Sequence, residues 1–243
     1  MILDPDVERT VTALASTHGL APANVAELLA LLEALARDPH APTTIREPRQ
    51  AAHVHVADSL VALELPDVRA AEAIADLGAG AGFPGLPLAV ALPSARVALV
   101  ESIARKCAFI RAAADAAGLS NVEVLAARAE AWPAGIGAHD VVTARALAPL
   151  AVLAEYAAPL LREGGALVAW KGRRDAQEEQ DAAAAADQLG LAIEEILPVR
   201  PYAEAEHRHL HVLRKIAPTP DRFPRRPGMA RKRPLGAKRQ PTL

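Results

Sequence analysis

An α/β protein built on a mostly parallel, seven-stranded sheet is what the sequence predicts, and three observations predict it. From Ala73 onward, short apolar runs alternate with stretches of helical spacing, the pattern of a sheet wrapped by helices. A glycine-rich turn, Gly78-Ala79-Gly80-Ala81-Gly82, joins the first such run to a helix. And 51% of the 243 residues are apolar, ample to bury a core of that size.

The elements follow in order. Val7, Val11 and Leu14 make one amphipathic helical stripe; Leu28, Leu31, Leu32 and Leu35 make another, with Asn24 as its N-cap. Residues 38–48 carry three prolines and read as a loop, after which Gln50 to Leu65 returns to helical spacing. Residues 1–72 thus form a helical cap. Strands are expected at 73–78, 96–101, 122–127, 139–145 and 165–171, and helices at 86–91, 104–117 and 149–161. An alanine-rich helix then runs from beyond Gly172 to about Leu189. Two further strands, 191–199 and 207–214, follow with a short connection, which favours an antiparallel pair at the sheet edge. Residues 73–217 make up this domain, and the proline-punctuated stretch 218–243 is expected to be an extended basic tail.

The net charge of −2 conceals a division. Residues 221–243 hold eight basic residues and the single acid Asp221, while the other 220 residues hold 19 bases and 28 acids. A cationic tail on an acidic body suits nucleic acid or another anionic surface. Cys107, the only cysteine, excludes an internal disulfide and a thiolate metal cluster, and is expected to be a packed apolar residue. The first twenty residues have no basic start followed by an apolar stretch, and the apolar runs fall short of a membrane span. A soluble, cytoplasmic protein without a membrane partner is expected.

The glycine turn carries the chemistry. Its alternating glycines let the chain turn tightly and let a ligand approach the backbone, and Pro84 and Pro87 suit the first turn of the helix that follows. Asp76 stands two residues before the first glycine, and Glu101 ends the next strand, where a carboxylate accepts both hydroxyls of a ribose. Ala129 and Glu130, with Trp132, follow the third strand where an adenine would meet the sheet edge. Together these tilt the reading from a dinucleotide toward S-adenosylmethionine. Arg145 ends the fourth strand, where open α/β sheets place ligands, with a guanidinium suited to a methionine carboxylate or an RNA phosphate. His207, His209 and His211 alternate along one strand face, but no carboxylate ligand or HExxH spacing accompanies them. No metal is expected.

At this point the residues resemble a known family. The run DLGAGAGFPGLPLA, the later VVTARALAPL and AWKG, and the terminal FPRRPGMARKRPL are similar to the bacterial small-subunit ribosomal RNA guanine-N7 methyltransferases, RsmG, also called GidB. The resemblance runs from about Ile45 through the tail. It implies a class I, Rossmann-like methyltransferase fold, S-adenosyl-L-methionine as methyl donor, and a guanine of 16S rRNA, free or in the small ribosomal subunit, as acceptor. It places cofactor contacts at Gly78, Phe83, Ala129, Glu130 and Arg145, joined by Gly80 and Glu101 from the loop reading above. It matches His55, within the run that continues to Asp58 and Ser59, to a position on the cap, and Lys171 and Arg208 to positions near the RNA. Relatives often carry a Trp and an Asn-Leu-Thr before the cap, where this chain has Ala41-Pro42-Thr43-Thr44.

Guanine N7 carries a free lone pair, so methylating it needs no proton removed first. The expected site has no obligatory general base and works by holding donor and acceptor in line. His55, Lys171 and Arg208 are the candidates for positioning the acceptor. The sequence lacks the Asn/Asp-Pro-Pro-Tyr run of exocyclic-amine methyltransferases, having Thr143-Ala144-Arg145-Ala146 after the fourth strand, and it lacks a proline-cysteine nucleophile. Two other classes share features with it. A nicotinamide-dependent oxidoreductase shares the glycine turn and the acid but leaves FPGLPLA and the basic tail unexplained; a non-catalytic RNA-binding module is distinguished by failing to bind S-adenosylmethionine. With three Phe, two Tyr and two Trp, base stacking is a poor means of holding RNA here, and phosphate contacts are expected instead. The chain is expected to act as a monomer.

Overall fold

A computed structural model describes residues 3–236 of the chain. Its sheet consists of β1 (Ala73–Leu77), β2 (Arg96–Glu101), β3 (Val122–Ala126), β4 (His139–Arg145), β5 (Leu161–Lys171), β6 (Leu191–Val199) and β7 (Arg208–Lys215). The strand order is β3-β2-β1-β4-β5-β7-β6, and β7 alone runs against the rest. The last two strands pair antiparallel at the edge as expected, but β7 inserts between β5 and β6. That insertion puts the first residues of β7 beside the last of β5: Lys171 opposes His209.

Alternation along the strands sorts side chains onto two faces. Ile74, Val97, Leu99, Val141, Val168 and Trp170 pack on one side with the cap; Ala75, Leu77, Val142, Ala144, Leu167 and Ala169 pack on the other. On the cap side lie α1 (Pro5–Thr17), α2 (Pro22–Arg37), α6 (Gly85–Ala91) and α7 (Ala104–Ala116); on the other lie α8 (Leu150–Ala157) and α9 (Ala176–Leu189). The predicted helix 149–161 stops at Ala157, because Pro159 breaks it and the chain enters β5 at Leu161. Asn24 is not the N-cap of α2. Pro22 starts that helix, and Asn24 reaches back from inside it to accept the Ala21 N–H at 3.0 Å and to donate to the Val90 carbonyl.

The cap's last helical run is continuous but not uniform. After α3 (Pro48–Ala51) it widens into a π-helical turn at Ala52–Ala57, returns as α4 (Asp58–Leu60), tightens to a 3₁₀ turn at Val61–Glu64, and is followed by α5 (Pro66–Arg69). π turns inside helices recur at functional sites, and this one carries His55 and leads into Asp58, both buried.

The tail differs most from expectation. Residues 218–236 are not an extended arm: they fold back over the α8 and α9 face and form a short helix, α10 (Met229–Lys232). Phe223 and Ala230 are buried there and Leu235 packs beside them, and Arg225 bonds buried Glu155 through two guanidinium nitrogens. Three apolar anchors with no regular spacing give no periodic signal, so prolines and charge dominate the reading of this stretch. Lys238 and Arg239 lie outside the described residues.

Candidate functional site

Two of the cavities at the carboxyl ends of the parallel strands, where such sheets place ligands, gather the residues singled out in the sequence. The first, about 420 Å³, is bordered by Gly78, Glu101, the segment Ala127–Glu130, Leu147, Tyr156 and Arg231, and its volume lies in the range of small-molecule sites. The second, about 400 Å³, is bordered by His55, Asp58, Arg145, Trp170, Lys171 and Arg208. Ala146 borders both.

The first cavity is assembled from backbone and carboxylates. Gly78 sits at φ +66°, and a Cβ there would lie 2.6 Å from Leu147 Cδ1, so a side chain at this position would strain the backbone and displace Leu147. Beneath the loop, fully buried Asp76 accepts hydrogen bonds from Thr143 Oγ1 at 2.9 Å and the Gly85 N–H at 3.0 Å, pinning the loop to β4. Burial pushes its carboxyl up to about 7, against the lowering effect of those two bonds. Pro84 is the N-cap of α6 rather than its first residue, and Pro87 falls where a helix has no use for an N–H. Glu101, 5% exposed, accepts the Gly80 N–H at 3.2 Å and the Ile103 N–H at 2.9 Å, one on each oxygen. Ser102 Oγ reaches Oε1 only at 3.5 Å and Lys106 Nζ reaches Oε2 only at 3.7 Å, long contacts that leave the second lone pair of each oxygen able to meet a ribose hydroxyl. The donor set therefore fits a nucleoside.

The second cavity is held by side chains. Asp58, fully buried, receives Arg145 Nη1 on Oδ2 at 2.9 Å, and Arg208 Nε lies 2.8 Å from its Oδ1, an ionic contact without hydrogen-bond alignment. Trp170 Nε1 donates to the Asp58 carbonyl at 2.6 Å, fixing the cap against β5. Arg145 also donates to the Val54 carbonyl and approaches His55 Nδ1 at 3.3 Å. A guanidinium cannot accept, so His55 Nδ1 is the acceptor and the ring proton sits on Nε2. Nε2 faces the Ile45 carbonyl and Thr43 Oγ1, each at 3.1 Å. Burial, then the Arg145 charge, holds the imidazole down to about 4, so it is neutral at pH 7. Lys171 Nζ pairs with Glu178 at 2.5 Å.

The structure thus divides the sequence-derived residues. Gly78, Glu101, Ala129 and Glu130 border the first cavity, with Gly80 tied to it through Glu101. His55, Lys171 and Arg208 come together around the second despite their separation in sequence. Arg145 faces this second cavity, not the first, and Phe83 stacks on His55 with ring centroids 4.7 Å apart. Both therefore support the cap-to-sheet joint. Trp132 turns away to pack on His139. Thr43, in the loop that departs from the family pattern, still reaches His55. Among residues given no role from the sequence, Asp58 was named only within the run after His55, three positions on along a helix, and Arg231 only within the FPRRPGMARKRPL run; Tyr156 had no signal. His211 turns to Glu179, His209 to the Gly172 carbonyl and His207 to Arg173, and among the described residues no group of three or more His, Cys, Asp or Glu side chains is gathered for a metal. Nor is any described helix long and apolar enough to cross a membrane.

Comparison with known proteins gives a consistent result. The family described as rRNA small subunit methyltransferase G matches residues 25–206. Proteins named ribosomal RNA small subunit methyltransferase G are similar to the chain in Rubrobacter xylanophilus (44% identity; 78% of this chain, 75% of that one) and Pelotomaculum thermopropionicum (42%; 79% and 82%). The same name belongs to a relative in Deinococcus deserti, 36% identical over 96% of this chain and 98% of its own. Among solved structures, the Methanococcus jannaschii fibrillarin pre-rRNA processing protein superposes with TM-score 0.53 at 16% identity, over 66% of this chain and 74% of that one. StiE O-MT residues 961–1257 superpose with TM-score 0.54 at 12% identity, over 71% and 77%. These two likenesses concern the fold.

Proposed function

Since the chain belongs to the rRNA small subunit methyltransferase G family, we propose that it transfers a methyl group from S-adenosyl-L-methionine to N7 of a guanine in 16S rRNA, with the first cavity taking the donor and the second the guanine. The observation that carries this reading is the pair of cavities meeting at Ala146, one fitted to a nucleoside and the other bordered by cations.

The donor supplies a methyl already activated on a sulfonium. As N7 takes the methyl with its own lone pair, the sulfur keeps the electron pair of the broken bond, and no proton leaves. The residues therefore have to bind, orient and exclude water. Glu101 takes the ribose hydroxyls, Gly78 and Gly80 admit the donor close to the backbone, and Ala129 and Glu130 border its base. On the acceptor side, Arg208 and Lys171 attract the nucleotide, while neutral His55 holds the cap in place without adding charge. Phe83 and Arg145 act through His55 and Asp58. Ala146 lies between the two, at φ +53°. That left-handed conformation costs a residue with a Cβ roughly 1–2 kcal/mol, a strain typical of functional sites, and it turns the chain out of β4 between the cavities.

In this reading residues 1–72 form the acceptor-side cap and 73–217 the catalytic domain, and the protein works as a cytoplasmic monomer on rRNA or the small subunit. The test is transfer of labelled methyl from S-adenosylmethionine to rRNA from cells lacking the enzyme, followed by mapping of the modified base. Label on guanine N7 is expected; label on any other base, or none, overturns the assignment.

A further inference from the structure

We propose that the C-terminal strap, residues 218–236, is a working wall of the donor site, in which Arg231 positions the Ala146–Leu147 segment, so that donor binding and docking of the strap strengthen each other. The inference rests on reading the first cavity as the donor site.

The strap, which carries the FPRRPGMARKRPL run, touches that cavity on two sides. The Gly228 N–H donates to Glu130 Oε1 at 2.9 Å, on the turn after β3. Arg231 Nη2 donates to the Leu147 carbonyl at 2.8 Å, on the segment after β4, and Arg231 and Tyr156 border the cavity together. Leu147 in turn packs where a side chain on Gly78 would have to be. One line of contacts therefore runs from Arg231 through Leu147 to the first glycine of the donor loop. Arg225, bonded to buried Glu155, anchors the strap behind it.

The same segment faces solvent with Arg226, Lys232 and Arg233, for which the described residues offer no carboxylate partner. Phosphates held there would favour the docked strap. A docked strap fixes Leu147, and a ligand that needs Leu147 in place gains affinity by the same factor by which it stabilises docking. Arg231 is a positioning residue in this scheme, since it acts on the donor through a backbone carbonyl.

Two measurements on the full chain test it. In calorimetry with S-adenosylhomocysteine, Arg231→Gln should bind about fivefold or more weakly, the loss of a hydrogen bond from a charged donor. Arg231→Lys should recover part of that, and Arg222→Gln should stay within about twofold of the parent. In trypsin nicking followed by mass spectrometry, S-adenosylhomocysteine should slow cleavage after Arg225, Arg231 and Lys232 in the parent by a similar factor. Parent affinity in Arg231→Gln, or nicking indifferent to the ligand, overturns the coupling and leaves the donor site standing. If the parent itself fails to bind S-adenosylhomocysteine, the donor reading falls and the coupling with it. The nicking experiment decides the question even where Arg231→Gln does not fold.

Discussion

The two cavities are of nearly equal size and are built in opposite ways. The first, proposed as the donor side, is shaped by one contiguous loop, a strand-end acid and backbone N–H groups, with Asp76 buried beneath it. The second, proposed as the acceptor side, depends on a single buried carboxylate, Asp58, gathering two arginines that lie 87 and 150 positions further along the chain. Backbone defines a site for a ligand of fixed shape. Side chains on a mobile polyanion need charge instead, and charges held close together need a counter-charge to hold them there.

This contrast can be broken most forcefully at Asp58. Asp58→Ala leaves Arg145 and Arg208 beside each other without their acid, and removing one partner of a buried pair costs about 3–5 kcal/mol. Urea denaturation should show that loss, while the folded fraction keeps its affinity for S-adenosylhomocysteine. A loss below about 1 kcal/mol, no more than an exposed pair is worth, would mean that the cap does not hang on this carboxylate.

The two sides should also answer pH in opposite senses. His55 has its folded value lowered from 6.5 to about 4, so the unfolded chain takes up the proton first and stability falls as pH drops from about 6.5 to 4, by on the order of 3 kcal/mol in full. Asp76 has its folded value raised from 3.8 to about 7. There the folded state holds the proton, and stability falls as pH climbs through the same range and on to about 7. His55→Gln should flatten the acid limb of the stability profile and Asp76→Asn the other. If each variant leaves its own limb unchanged, the burial of that group is not felt as a titration.

Smaller effects separate binding of the two ligands. Glu101→Ala should weaken S-adenosylhomocysteine by about 10- to 100-fold, as expected for hydrogen bonds to a charged acceptor at about 1.5–3 kcal/mol, with rRNA affinity unchanged. Equal donor affinity in calorimetry would remove Glu101 from the site. The double variant Lys232→Gln, Arg233→Gln should reduce the slope of log affinity for rRNA against log salt by about 1.4–1.8, if each side chain meets one phosphate. An unchanged slope would make those charges a solubilising surface.

How far the sequence revealed each side follows from the same contrast. The donor loop was legible because its glycines, the acid before them and Glu101 act through local geometry that the order of residues encodes. All seven strands were legible from their apolar runs, with β5 beginning four residues early because Pro159 ends the preceding helix sooner than its pattern suggests. The acceptor side was legible only as separate positions, His55, Lys171 and Arg208, supplied by family resemblance. Nothing local to Asp58 announces that Arg145 and Arg208 will converge on it. The folded strap escaped notice for a related reason: Phe223, Ala230 and Leu235 are spaced by no period, and Arg225 finds its acid, Glu155, 70 residues away.

The reversed strand β7 has one more consequence. Because it runs against its neighbours, its beginning, not its end, lies at the ligand edge, and so the hairpin loop 200–207 that precedes Arg208 stands at the rim of the acceptor cavity. Hairpin loops tolerate changes of length far better than the strands they join. That loop is therefore the natural place to redesign which RNA shapes are admitted, by grafting or insertion, while the methyl-donor half of the molecule keeps its dimensions.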